Sequence, residues 1–140
     1  MNKRILIIDD DEELCEELGD ILRDEGFHCD IAHSGDKAHV FIDQKHYDLV
    51  ILDLKLPGMR GSEVLRVIKR KGPDQKVIIL SGRILGRDAL YPFDNNIDED
   101  EMILHMADAV LRKPVKVEYL LLMVKALITV GEEDEDRLTV

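Results

Sequence analysis

Carboxylate, hydroxyl and amine side chains stand at or just beyond the ends of short, branched apolar segments of this chain: Asp9, Asp10, Asp53, Ser81 and Lys113. A buried carboxylate is unfavourable unless a cation pairs with it. A few carboxylates that leave positions for water and phosphate oxygens are the usual way in which proteins hold Mg²⁺. An aspartate beside such an ion can attack phosphorus, because the metal and a nearby ammonium neutralise the transferred group. If these side chains converge, Asp53 is predicted to face a metal and a phosphoryl donor, while Lys113 and Ser81 contact phosphoryl oxygens.

Convergence of these side chains depends on the elements that carry them. Short apolar segments alternate with amphipathic ones, and they predict five strands at Arg4–Ile8, Phe27–Ala32, Asp48–Leu52, Lys76–Leu80 and Ala109–Leu111. The alternation predicts an α/β fold in which helices cover both faces of a parallel sheet and the crossovers are right-handed. Ligands of such sheets bind outside the carboxyl ends of the strands, where the polar side chains are expected.

Polar and glycine residues predict where the helices begin and end. Asp11, Ser34 and Ser62 are each followed by helical apolar spacing, so each is predicted to be an N-cap. Gly26 is predicted to lie just beyond the first helix, and Gly131 to end the last one.

The composition fits one soluble domain. The chain has 140 residues, of which 45% are hydrophobic and 35% charged, with a formal net charge of −11. This charge argues against direct binding to nucleic acid or to an anionic membrane. Residues 1–130 are predicted to form the domain, and the acidic residues 131–140 a disordered tail. A short N-terminal apolar run and the spacing of Cys15 and Cys29 favour the reducing cytoplasm as the location.

Four motifs occur in order at the predicted strand ends: ILIIDDDEEL, YDLVILDLKLPGMRG, VIILSG and LRKPV. Together they resemble the receiver domain of bacterial two-component response regulators, in its single-domain, chemotaxis-regulator-like form. The resemblance implies a flavodoxin-like, doubly wound five-stranded parallel sheet with the strand order 2-1-3-4-5. It also implies phosphoryl transfer from a histidine kinase, a phosphotransfer protein or a small phosphodonor, followed by a change in the surface that binds a downstream protein.

The resemblance assigns a metal site around the predicted phosphoacceptor, Asp53. Asp10, and Asp9 partly through water, resemble the family's Mg²⁺ ligands, together with Asp53 itself. The backbone carbonyl of Lys55 corresponds to the remaining protein ligand of that site.

The resemblance also assigns roles to the last two strands. Ser81 resembles the switch hydroxyl and Lys113 the phosphate-sensing lysine, whose bond to the following proline, Pro114, is usually cis in the family. Val110 departs from the pattern, because the family usually has tyrosine or phenylalanine at that position.

Residues 83–106 form a second departure, because they are longer than a crossover requires. Pro92 is expected to interrupt any helix there, leaving a loop and then a short helix from about Asp98. One hypothesis is that Tyr91 or Phe93 replaces the missing switch aromatic residue. The alternative is a lengthened loop without a role.

Two other functions remain open. A haloacid dehalogenase-type phosphatase would use Asp9 and Asp11 as its Asp-x-Asp pair, Ser81 as its second motif and Lys113 as its third, but it requires a further acidic pair after a later strand. A receiver fragment of a larger regulator or hybrid kinase would show the same motifs. No catalysis is expected beyond phosphorylation and dephosphorylation of the chain itself.

Overall fold

The computed structural model describes residues 2–82, 103 and 105–138, and it describes the side chains of the last helix as far as residue 129. The strands are β1 (Arg4–Ile8), β2 (His28–Ala32), β3 (Leu49–Asp53), β4 (Val77–Ser81) and β5 (Ala109–Arg112). The helices are α1 (Glu12–Asp24), α2 (Gly35–Gln44), α3 (Gly61–Lys71) and α4 (Val117–Leu138). Within the described part of the chain, no helix is long and apolar enough to cross a membrane.

The strands form one parallel sheet in the order β2-β1-β3-β4-β5, which confirms the predicted topology. Ile8 of β1 pairs with Leu52 of β3, so the residues that follow them, Asp9 and Asp53, stand side by side. The register therefore brings the carboxyl ends of the central strands together, where α/β sheets bind their ligands.

Both faces of the sheet are buried, which explains why the strands are almost continuously apolar. One core cluster joins the sheet to α1 and α4 through residues such as Leu18 and Val124. The other joins it to α2 and α3 through residues such as Ala38 and Leu65. The helices thus form one layer on each face of the sheet. The carboxyl ends of the strands remain available for a site.

Two of the three predicted helix caps are confirmed. The carboxylate of Asp11 accepts a hydrogen bond from the N–H of Leu14, and the hydroxyl of Ser34 accepts one from the N–H of Lys37. Each of these bonds satisfies a donor that has no partner within its helix.

The predicted cap at Ser62 is wrong, because α3 begins two residues earlier than that cap requires. Arg60 is the N-cap and makes no side-chain capping bond, while Ser62 is buried inside the first turn. The N–H of Gly61 instead donates to the carbonyl of Leu54 at 3.1 Å. A backbone acceptor from the preceding loop therefore takes the place that a side-chain cap was expected to fill.

The predicted end of the last helix at Gly131 is also wrong, since α4 continues to Leu138. A single glycine inside a helix costs only about 1 kcal/mol relative to alanine, and this cost alone does not end a helix. The division of the chain at residue 130 stays a prediction.

The predictions for the long segment, residues 83–106, concern positions that lie largely outside the described residues. The loop, Pro92, the helix start at Asp98 and the two candidate aromatic residues, Tyr91 and Phe93, all lie there. Ile103 is described, and it is helical and buried against the α2–α3 side of the sheet.

The two cysteines provide a test of the core packing. Both are free and buried; burial raises the pKa of Cys15 to about 12 and that of Cys29 to about 11. Because the thiolate is the reactive form, we expect iodoacetamide at about pH 8 to modify neither residue readily in the native protein. Mass spectrometry should find both modified once urea unfolds the chain. Equal modification rates with and without urea would contradict this burial.

Candidate functional site

Three carboxyl groups meet at the ends of β1 and β3. Asp9 and Asp53 are 0% and 3% exposed, whereas Asp10 is exposed. One carboxylate oxygen from each of the three lies within 4.8 Å of the others. The predicted acidic cluster therefore forms, with two members buried and one at its outer edge.

An ammonium group bridges the two buried carboxylates. Lys113 Nζ lies 2.9 Å from Asp9 Oδ2 and 3.3 Å from Asp53 Oδ2. The backbone fixes the beginning of this side chain, because the N–H of Lys113 donates to the carbonyl of Ser81 at 2.9 Å. The bond between Lys113 and Pro114 is cis, as the resemblance implied.

Burial and neighbouring charges shift the pKa values of Asp53 and Lys113. Burial is the main cause that raises the pKa of Asp53, and the nearby Asp9 raises it further, whereas the N–H of Lys55 and the ammonium of Lys113 act in the opposite direction. For Lys113, burial lowers the pKa, but the contacts with Asp9 and then Asp53 outweigh it, so that the pKa is raised overall. Lys113 is consequently positive at neutral pH.

The position of Asp9 is fixed by contacts that the sequence did not indicate. Its Oδ1 accepts a hydrogen bond from the N–H of Asp11 at 3.0 Å. Its carbonyl oxygen lies 3.3 Å from the thiol of Cys15 and 3.0 Å from Nδ1 of His33, which must carry a hydrogen to bond there. Nothing in the residue spacing marks Cys15 or His33, because their contacts depend on how α1 and the β2–α2 loop pack.

The loop after Asp53 is tightly turned. The N–H of Lys55 donates to Asp53 Oδ1 at 3.2 Å, and Gly58 has a φ of +78°, a conformation that favours glycine. A Cβ on Gly61 would lie 2.5 Å from the Cα of Leu54, so only glycine allows this close approach. The loop thus brings the backbone of Lys55 to the site, while the metal-ligand role of its carbonyl stays a prediction.

Ser81 is the last residue of β4 and is buried. Leu80, the residue before it, pairs with Asp53, which places Ser81 on the strand next to that of Asp53. On β5, Val110 is 36% exposed at the position where the resemblance expects an aromatic ring. The switch role of Ser81 stays a prediction.

The donor set of this site suits a hard divalent cation. Three carboxyl groups face one ammonium, so the cluster has an excess of acidic groups. Asp9 Oδ2 is buried and lies 2.9 Å from the ammonium of Lys113, which also serves Asp53. Oxygen ligands with uncompensated negative charge are those that Mg²⁺ prefers.

Comparison with known proteins shows which family shares this arrangement. The family model described as "Response regulator receiver domain" matches residues 5–125. The DNA-binding response regulator MtrA of Mycolicibacterium smegmatis is 32% identical over 134 residues, which are 96% of this chain and 54% of that protein. The regulatory protein VanRB of Enterococcus faecalis is 30% identical, over 91% of this chain and 53% of that protein. The chain spans about half the length of these curated relatives.

Solved structures show the same fold. A CheY-like receiver domain from Methanospirillum hungatei has a TM-score of 0.82 and 29% identity, covering 96% of this chain and 99% of that one. The response regulator TrrA of Thermotoga maritima, in complex with Mg²⁺-BeF, has a TM-score of 0.70 and 34% identity, covering 89% and 98%. The alternative interpretation as a haloacid dehalogenase-type phosphatase is therefore not needed to explain the motifs.

Replacing Lys113 tests the ion pairs at the centre of the site. We expect Lys113→Met to lower the free energy of unfolding by about 3 kcal/mol, because it leaves two buried carboxylates without their cation. Lys125→Met is the control: it breaks a 2.8 Å ion pair with Glu25 in which both side chains are substantially exposed. Such surface pairs contribute less than about 1 kcal/mol. Urea unfolding at low salt and without divalent ions compares the two, and equal losses would contradict the central role of Lys113.

Proposed function

The chain belongs to the receiver-domain family of two-component response regulators, and from this premise we propose that Asp53 accepts a phosphoryl group and so switches a protein-binding surface. One observation carries the proposal. Asp53 is a buried carboxyl group at a strand end, with an ammonium group at 3.3 Å and two further carboxyl groups beside it. Folding alone gives no advantage to such an arrangement, since a buried polar cluster must offset its desolvation.

In the proposed reaction an oxygen of Asp53 forms a bond to phosphorus, and the bond between phosphorus and the donor's leaving group breaks. The N–H of Lys55 and the ammonium of Lys113 both stabilise the carboxylate form that attacks. Asp9, Asp10, Asp53 and the carbonyl of Lys55 are the groups that would hold Mg²⁺, which supplies positive charge to the transferred group when it is bound.

Transfer changes which groups Lys113 contacts. The phosphoryl group brings new anionic oxygens next to an ammonium that already lies within ion-pair distance of Asp53. Lys113 and Ser81 are therefore proposed to bind these oxygens, and Ser81 would carry the change along β4 toward the surface. Apart from its own phosphorylation and dephosphorylation, the chain is proposed to catalyse no reaction.

The proposed partners are a histidine kinase or phosphotransfer protein upstream and a protein target downstream, which suits a cytoplasmic location. MtrA is described as DNA-binding, and this chain spans about half of its length. The chain could thus act as a single-domain regulator or as the receiver part of a larger regulator or hybrid kinase. With a net charge of −11, the chain is poorly suited to contact nucleic acid.

Mass spectrometry after incubation with Mg²⁺ and acetyl phosphate tests the acceptor. We expect the mass of the protein to increase by one phosphoryl group as acetate leaves, and Asp53→Asn to remain unmodified because its amide is not a competent nucleophile. Asp30→Asn, which changes an aspartate on β2 that binds Tyr47 and Lys45, is the control and should still be modified. Modification of Asp53→Asn to the same extent would exclude Asp53 as the acceptor.

Two neighbouring aspartates test the metal site. Asp10 belongs to the cluster, whereas Asp11 caps α1. Because Mg²⁺ stabilises a protein whose native state binds it, the wild type should unfold at a higher temperature in millimolar Mg²⁺. Asp10→Ala should lose most of this increase and be phosphorylated more slowly. Asp11→Ala should lose about 1 kcal/mol of stability through its missing cap and keep the increase. An Mg²⁺ response that survives in Asp10→Ala would contradict the site.

A further inference from the structure

An aspartate stands directly before each of two strands, β3 and β5. It makes two hydrogen bonds to a single residue of the neighbouring strand. The N–H of Asp48 donates to the carbonyl of Arg4 at 2.8 Å, and Asp48 Oδ2 accepts the N–H of Arg4 at 2.8 Å. The N–H of Asp108 donates to the carbonyl of Val77 at 2.9 Å, and Asp108 Oδ2 accepts the N–H of Val77 at 2.8 Å. Each aspartate therefore fixes the start of its strand against a single partner residue.

The two aspartates have the same spacing from a site residue. Asp48 stands five residues before Asp53, and Asp108 stands five residues before Lys113. Strands rise by about 3.3 Å per residue, so each contact lies about 16 Å from the site along a nearly straight strand. The register chosen at the start of the strand determines where its last side chain arrives.

The two strands differ in how much else holds them. β3 pairs with β1 and β4 and is buried throughout its length. β5 has four residues, lies at the edge of the described sheet and pairs there with β4. Two contacts flank this short ladder and hold its ends: the Asp108 contact at the start, and the bond from the N–H of Lys113 to the carbonyl of Ser81 at the finish.

We propose that Asp108 is a positioning residue for Lys113: its two-point contact with Val77 sets the register of β5 on β4 and so holds the Lys113 ammonium against Asp9 and Asp53. Without this carboxylate, the N–H of Val77, a fully buried residue, loses its acceptor, and an unsatisfied buried donor is costly. The start of β5 is then free to move, and the ion pairs of Lys113 weaken with it. Asp48 makes the same contact but is dispensable for the site, because both neighbours of β3 hold that strand.

Hydrogen exchange of the Lys113 amide tests this without any phosphoryl chemistry. We expect Asp108→Ala to increase the exchange rate of this amide by about tenfold or more, because its bond to Ser81 opens with the shifted strand. Asp108→Asn keeps a side-chain oxygen as acceptor and should exchange nearly as the wild type does. Asp48→Ala, the matched control, should leave the Lys113 amide unchanged. An unchanged rate in Asp108→Ala, or an equal increase in Asp48→Ala, would overturn the proposal.

The rate of phosphorylation by acetyl phosphate tests whether displacement of Lys113 impairs the site. Of the two experiments, this one alone rests on the proposed function. Misplacement of a charged group by about 1 Å can cost up to a hundredfold in rate, so we expect Asp108→Ala to be phosphorylated at least about tenfold more slowly. In a Lys113→Met background, Asp108→Ala should cause no further decrease, because both changes remove the same ammonium. Additive losses would show that Asp108 acts by another route and would overturn the proposal. If the wild type accepted no phosphoryl group, the proposed function would fail while the exchange experiment still decided the role of Asp108.

Discussion

The balance between one ammonium and two buried carboxylates is the interaction on which the rest of this structure depends. Asp9 and Asp53 are almost fully buried at adjacent strand ends, and Lys113 lies within 2.9 and 3.3 Å of them. Their mutual repulsion would oppose folding, and removing one member of such a group costs more than the group contributes. The fold must therefore place Lys113, which is distant in the sequence, beside the two carboxylates so that both can be buried.

The register of the strands, rather than side-chain packing at the site, determines where Lys113 and the two carboxylates lie. Residues paired across β1 and β3 determine that Asp9 and Asp53 are neighbours, and residues paired across β4 and β5 determine where Lys113 lies. Because the strands are apolar on both faces, a shift in register would carry the polar residue at a strand's end into the core or expose apolar residues at its other end. The two core clusters and the site therefore depend on the same boundary between apolar and polar residues.

Much of the fold and the chief polar residues of the site could be predicted from the sequence, for one physical reason. Short branched apolar segments that end in Asp, Ser or Lys reveal both the strand and its carboxyl end, and the position of that end determines which residues meet. Ser62 was predicted as a cap because its type and spacing suit one, yet the carbonyl of Leu54 takes this role through a tertiary contact that no local pattern reveals. The contacts of Cys15 and His33 with Asp9 were unpredictable for the same reason.

The site consequently joins a rigid half to a less constrained half. Asp9 and Asp53 stand at the ends of β1 and β3, which both lie inside the sheet, and the loop after Asp53 is closed by Gly61 against Leu54. Lys113 follows an edge strand in which Ala109, Val110 and Arg112 are partly or fully exposed. Under the proposed function, the half that carries the acceptor and the metal ligands gains from rigidity, since these groups are then already in place. Under the same proposal, Lys113 has to respond when new charge arrives, and a strand at the edge of the described sheet can move while disturbing few contacts.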